Sequence, residues 1–250
     1  MAYANYPSLN DLPIVVTGGA SGIGMAMVRA FAAQRAKVGF VDFDVERGQA
    51  LAAELGPHVR FQACDLRDIG ALKSAFAALE REQGPALVLV NNAARDDRHS
   101  LAEVTPDYYD ERIASNLRHM FFAIQAVAPG MIAAKKGSII NLGSDSWWRS
   151  IGNLVVYTQA KAAVHGLTRG LARELGQHLI RINTLVPGWT MTERQKTLWV
   201  TPEGIESQLR DQCLPVLIEP EYIANMALFL AADDSAMCTA QTFFVEGGAV

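Results

Sequence analysis

Ile14-Val15-Val16-Thr17-Gly18-Gly19-Ala20-Ser21-Gly22-Ile23-Gly24 is an apolar β-branched run broken by a glycine turn, and a helical pattern through Met27, Val28 and Phe31 follows it. The segment reads as strand, turn and helix. Gly18, Gly22 and Gly24 let backbone come close to a pyrophosphate, and the free N–H groups that open a helix attract its charge. The spacing is wider than G-x-G-x-x-G, so an ordinary glycine turn stays open as the alternative. The next apolar run ends at Asp42, near the ~20-residue spacing at which an acid accepts from an adenosine ribose. A carboxylate there repels a 2′-phosphate, and Ser21 stands in a turn free of Lys and Arg, which favours NAD; Arg47 keeps NADP open.

Working outward, short β-branched runs at 14–17, 38–41, 59–63, 87–90, 138–142, 182–186 and 242–245 alternate with longer helical stretches. Such alternation predicts an α/β fold: a single-domain, Rossmann-type, doubly wound parallel sheet of seven strands flanked by helices. Most of these runs are apolar on both faces, as a sheet covered on both sides requires. At 250 residues, half of them hydrophobic, the chain can bury one large core. Ligands in such sheets bind beyond the carboxyl ends of the strands, and there fall the glycine turn, Asp42, Asp65, Asn91, Ser144 and Pro187.

The net charge of −4 and the lack of a basic cluster argue against nucleic acid or an anionic membrane as partner. Met1-Ala2-Tyr3-Ala4-Asn5-Tyr6-Pro7 lacks the pattern of a signal peptide, and no apolar run approaches the ~20 residues that span a bilayer, so a cytoplasmic protein is expected. Cys64, Cys213 and Cys238 are scattered and without C-x-x-C spacing, which points to packing residues, with no disulfide framework and no metal site.

Tyr157 and Lys161 stand at i and i+4 and project from one helix face. A phenol accepts a proton at neutral pH only if positive charge stabilises its anion, and Lys161 is placed to supply that charge. The pair by itself also fits a surface contact.

With these motifs in order, the chain resembles the short-chain dehydrogenase/reductase family over essentially its whole length. The motifs are Thr17 to Gly24, Asp65, Asn91-Asn92-Ala93-Ala94, Asn116, Ser144, Tyr157 with Lys161, and Pro187-Gly188; Ala94 departs from the usual glycine. The resemblance implies catalysis by Asn116, Ser144, Tyr157 and Lys161. Tyr157 is then the base, Ser144 holds the substrate oxygen, Lys161 bridges the nicotinamide ribose and lowers the tyrosine pKa, and Asn116 anchors a water. It implies cofactor contacts at Gly18, Ser21, Gly22, Ile23, Gly24, Asp42, Phe43, Asp65, Leu66, Asn92, Ala93, Tyr157, Lys161, Pro187, Gly188, Thr190 and Thr192. Asp65 reads either as an acceptor for the adenine amino group or as a helix cap. The resemblance further implies a homotetramer, in which the helix carrying Gly166 and Gly170 and the helix around 116–131 form the dimer contact and Thr239 to Val250 completes the tetramer, although packing on the sheet explains the two glycines equally.

The variable segments Arg95-Asp96-Asp97-Arg98-His99, Asn116-Leu117-Arg118-His119-Met120 and Gly143-Ser144-Asp145-Ser146-Trp147 are similar to those of bacterial aldose 1-dehydrogenases acting on xylose and similar pentoses. That resemblance implies oxidation of the anomeric C1 hydroxyl of a pentose or related hexose to the aldonolactone. All four tryptophans, Trp147, Trp148, Trp189 and Trp199, follow Ser144 or Pro187, and indoles stack on sugar C–H faces. The substrate residues expected are Asp96, Ser144, Ser146, Trp147, Asn153, Tyr157 and Trp189, under a mobile lid near 189–215. Core or subunit contacts account for the tryptophans as well, and a solvated charge run for residues 95–99. The alternatives are a dehydrogenase of another secondary alcohol or polyol, a 3-oxoacyl reductase, or a cofactor-binding regulator.

Overall fold

Val16 lies opposite Phe40 on one side and Val90 on the other, both in parallel register, and this pairing is repeated across a seven-stranded sheet. The computed structural model describes residues 4–250; Met1, Ala2 and Tyr3, the start of the stretch read above for a leader, lie outside them. The strands are β1 (Pro13–Thr17), β2 (Lys37–Asp42), β3 (Val59–Ala63), β4 (Val88–Asn91), β5 (Gly137–Leu142), β6 (Ile180–Pro187) and β7 (Thr242–Val245). Their order is β3-β2-β1-β4-β5-β6-β7, every neighbouring pair parallel. The chain winds out from β1 to β3 and then crosses back to β4. A crevice therefore opens between the carboxyl ends of β1 and β4.

The helices are α1 (Gly22–Ala33), α2 (Val45–Leu55), α3 (Ile69–Gln83), α4 (Pro106–Ile113), α5 (His119–Ala134), α6 (Val155–Gly176), α7 (Glu193–Leu198), α8 (Pro202–Asp211) and α9 (Pro220–Ala231). Successive strand residues point to opposite faces, so the sheet builds two cores from one run. Val16, Phe40 and Ile140 join Met27, Phe31 and Leu228 beneath α1 and α9. Val15, Leu89 and Ile139 join Leu72, Met131 and Leu175 beneath α3, α5 and α6.

A π-helical turn, Ala114–Arg118, joins α4 to α5 without a break and carries the fully buried Asn116. The resulting helix, Pro106–Ala134, is 29 residues long and apolar enough by composition to cross a membrane. It lies on the sheet instead, with Met120, Ile124 and Met131 in the core, and its continuity was hidden in the sequence by the polar residues of α4. The expected lid is not irregular: Thr192 and Thr201 accept from Gln195 N and Gly204 N and open α7 and α8. The three cysteines are free, and burial pushes the Cys64 thiol up to about 11.

Candidate active site

At the crevice the glycine turn is held from both sides. Gly18 (φ +65°) and Gly22 (φ +52°) take left-handed backbone that a side chain would strain. A Cβ on Gly24 would meet the Gly18 carbonyl oxygen at 1.9 Å. Asn92 Nδ2 donates to Thr17 O and Gly18 O at 3.0 Å each, and Thr17 Oγ1 accepts from Asn92 N and Ala93 N. The first turn of α1 holds no acidic residue, and Ser21 makes no side-chain cap there, so its N–H groups stay open to an anion. Asp42, 7% exposed, accepts from Ala20 N and Asp44 N at 3.0 Å each, tying the end of β2 to the turn. This cradle and carboxylate fit a dinucleotide: open donors for the phosphates, an acid for the ribose.

The remaining residues expected around a cofactor ring the same strand ends. Phe43 stands 71% exposed beyond β2, Ile23 packs partly against the core, and Leu66 turns its side chain into the core beneath α3. Asp65 is not a helix cap: Asp68 fills that place, accepting from Gly70 N and Ala71 N. Asp65 instead pairs with Arg67 at 2.6 Å, whose hydrogen bonds hold its carboxyl below the ordinary range. Beyond β6, Gly188 leaves no room for a Cβ, which would lie 2.7 Å from Ile218, and Thr190 donates to Gly188 O. A Cβ on Gly22 would come 3.1 Å from the Thr192 methyl, so the start of α7 adjoins the glycine turn.

Tyr157 and Lys161 lie on the inner face of α6 as their spacing requires, with Lys161 Nζ 5.7 Å from the phenol ring centroid. Lys161 is 1% exposed and donates to Leu142 O at 2.7 Å; burial brings its pKa down to about 7. The expected lowering of the phenol is not seen. Burial, then Asp96, hold Tyr157 above its ordinary value, while the Ser144 hydroxyl, in hydrogen-bonding reach, opposes the shift. The cost of burying the phenolate decides the sign, with the Asp96 and Asp145 carboxylates adding to it, while Lys161 is drawn to the Leu142 carbonyl. Ser144 Oγ also accepts from Ser146 N at 3.1 Å, which fixes the turn after β5.

Asn116 Oδ1 accepts from Arg95 N at 2.7 Å, whereas its Nδ2 has no partner among the described residues. His119, fully buried three residues on, shares a 3.1 Å hydrogen bond with Ala93 O; burial, with Lys161 adding to it, brings its pKa down to about 4, so it donates as a neutral ring. Asp145 is also buried, and burial raises its carboxyl although Arg149 opposes the shift.

The substrate-side residues are mostly engaged. Asp96 accepts from Gln195 Nε2 at 2.7 Å and Arg194 Nε at 3.4 Å, and Trp189 Nε1 donates to Gln195 Oε1 at 2.8 Å. Trp147 stacks on Trp148 at 3.4 Å between ring centroids and turns its N–H toward His165. Ser146 Oγ is buried without a partner among the described residues, and Asn153 is exposed with its carbonyl bound to His99 N. Gln159 donates to Tyr109 Oη at 2.7 Å. Residues 95–99 are a hub and not a solvated run: Asp97 pairs with Arg95, Arg112 and Arg194, and His99 is 8% exposed. Although burial works to raise it, these cations hold the Asp97 carboxyl below its usual range. Sequence reasoning missed Arg112, Arg194 and Gln195 here; the one signal was opposite charge in segments that each follow a strand.

The geometry has its counterparts among known proteins. The family described as enoyl-(acyl carrier protein) reductase matches residues 18–250. A D-xylose 1-dehydrogenase of Caulobacter vibrioides is 48% identical, covering 99% of both chains, and a probable galactose dehydrogenase of Rhizobium meliloti is 43% identical over 98% of this chain and 97% of its own. The structure of a putative gluconate dehydrogenase from Agrobacterium tumefaciens superimposes with a TM-score of 0.92 at 27% identity, covering 98% of each chain. The chain belongs to the short-chain dehydrogenase/reductase family, whose dehydrogenases use NAD(P).

Proposed function

We propose that the chain oxidises the anomeric C1 hydroxyl of an aldose to the aldonolactone with hydride transfer to NAD(P)+. The substrate is a pentose such as D-xylose or L-arabinose, or a hexose such as D-galactose or L-fucose. The observation that carries this reading is Tyr157 with the buried Lys161 on one face of α6, Nζ 5.7 Å from the phenol ring, in a chain similar over its full length to a D-xylose 1-dehydrogenase. The glycine turn, the open start of α1, Asp42 and the segments at Asn92-Ala93 and Pro187 to Thr192 are the residues that hold the cofactor. Bound there, NAD(P)+ supplies the hydride acceptor.

Ser144 Oγ orients the substrate oxygen, and Tyr157 Oη takes the proton of the C1 hydroxyl. For that, the phenol must be ionised. An ammonium beside the phenol favours the phenolate by Coulomb attraction, and the positive ring of a bound NAD(P)+ would add to it. Lys161 in its charged form is therefore what turns Tyr157 into a base. Asn116 Nδ2, buried and without a partner among the described residues, is the donor for a water that carries the proton onward. Asp96, Ser146, Asn153, Trp147 and Trp189 frame the sugar, with α7 and α8 as the lid near 189–215.

NAD is the preferred cofactor in this reading, because a carboxylate at Asp42, at the end of β2, would repel a 2′-phosphate, and Arg47 pairs with Asp44 at 3.6 Å. The free cysteines suit a reducing cytoplasm. A homotetramer is supported by Gly166 and Gly170, which have nothing within 4 Å of a Cβ and so do not pack on the sheet; a second helix can approach them closely.

The test is reduced-nicotinamide absorbance with a panel of aldopentoses, aldohexoses and polyols, for the native protein and for Tyr157→Phe. Turnover on one or a few aldoses is expected, and its loss by about 10²–10⁴-fold in the variant. Silence on every aldose with activity on polyols overturns the sugar assignment, and normal turnover by Tyr157→Phe overturns the mechanism.

A further inference from the structure

Tyr157 is the third residue of α6, in the turn whose N–H groups have no intrahelical partner. Leu154 at the cap offers no side-chain acceptor. The acceptor comes from elsewhere in the chain: His99 Nε2 takes the Val156 N–H at 3.3 Å. His99 lies on the loop between β4 and α4 and is 8% exposed. Accepting at Nε2 places its hydrogen on Nδ1. That side is matched, with Asp97 O at 3.1 Å and the Tyr108 hydroxyl at 3.0 Å. The backbone N–H of His99 also donates to Asn153 O at 2.8 Å, so side chain and main chain together pin the entry of α6. Behind the ring, Tyr108 is edge-on to His99 at 5.2 Å and lies under the Arg112 guanidinium at 5.5 Å.

We infer that His99 is a positioning residue for Tyr157. By accepting the Val156 N–H it sets the first turn of α6, and with it the place of the phenol oxygen against the Ser144 hydroxyl. It also joins that turn to the lid, because the Asp97 main chain beside it belongs to the residue whose carboxylate holds Arg194. The inference rests on Tyr157 as the base. A misplacement of ~1 Å at a reacting atom costs about 100-fold in rate. Lys161, the cofactor contact on α6, stands one turn further along and is tied to Leu142 O, and the glycine-turn contacts lie on other elements, so the loss falls on kcat.

The experiment compares His99→Leu, which keeps an apolar body without an acceptor, with His99→Gln, whose amide oxygen reaches the same place. Expected for His99→Leu is a fall in kcat of about 10–100-fold, with the KM for NAD(P)+ within about twofold of native. Expected for His99→Gln is recovery of most of that loss. Native kcat in His99→Leu overturns the inference, as does an equal loss in both variants together with a raised cofactor KM, the mark of a packing role. If His99→Leu does not fold, Tyr108→Phe takes its place: it removes the hydroxyl at Nδ1 and keeps the ring, with kcat expected down roughly 3–10-fold. Native kcat there overturns the inference. Tyr157→Phe, assayed beside them, separates the two ideas: if it stays active the base assignment fails, and if it is dead while His99→Leu is native only the positioning role fails.

Discussion

Replacing Lys161 with methionine is expected to make the cofactor-free protein more stable while ending turnover. Lys161 is 1% exposed and donates to Leu142 O, and burial lowers its pKa from 10.5 to about 7. A shift of about 3.5 units corresponds to roughly 5 kcal/mol of destabilisation by the buried charge. Below the folded pKa the ammonium is present in both states and the whole penalty applies. As pH rises from about 7 the folded lysine is neutral while the unfolded one still holds its proton, so the penalty shrinks by about 1.4 kcal/mol per unit and is gone near 10.5. Methionine removes the charge at similar volume but leaves the Leu142 carbonyl unmatched, at a cost of about 1–3 kcal/mol. The net gain is roughly 2–4 kcal/mol below neutrality, or about 4–16 °C in Tm for a chain of this size. Thermal unfolding of both proteins without cofactor, followed by circular dichroism from about pH 6 to about pH 9, should show the gap narrowing by roughly 3 kcal/mol. A gap that stays flat across that range, or a methionine variant less stable throughout, refutes burial of the ammonium as the cause.

Two further outcomes are expected. Asp42→Ala removes the carboxylate that repels a 2′-phosphate, so kcat/KM should move toward NADP by about 10–100-fold relative to NAD; an unchanged ratio with both cofactors sinks the role given to Asp42. Light scattering at micromolar concentration should give the mass of four chains, and a monomer there removes the reason for leaving Gly166 and Gly170 open on α6.

The sheet was legible because two-sided burial writes itself into a strand as an unbroken β-branched run, and each strand lies within two residues of where such a run stands. Tyr157 and Lys161 were legible because i, i+4 spacing fixes a shared helix face. What burial does to them was not: the same apolar surroundings drive the phenol up and the ammonium down, and neither effect has a residue pattern. Asp65 left two readings open, and the structure removes the helix cap, which Asp68 fills, while Arg67 two residues on reaches back to Asp65 and Glu111 steadies the guanidinium from α4. The π-turn around Asn116 has no compositional mark, and His99 meets Val156 across 57 residues of sequence. α7 and α8 escaped because they are short and bury almost nothing, although Thr201-Pro202 was a readable start signal.

That shallow packing bears on how such a chain changes over generations. α7 contributes no buried residue, and polar ties at Thr192, Arg194 and Gln195 hold it, while both apolar layers lie on the faces of the sheet away from it. Substitutions at the exposed positions 194 and 196–198 therefore alter the segment beside Asp96 without touching either apolar layer. Preference for one sugar over another can drift there freely, and a mutant library confined to those positions should keep the native melting temperature while its substrate range spreads.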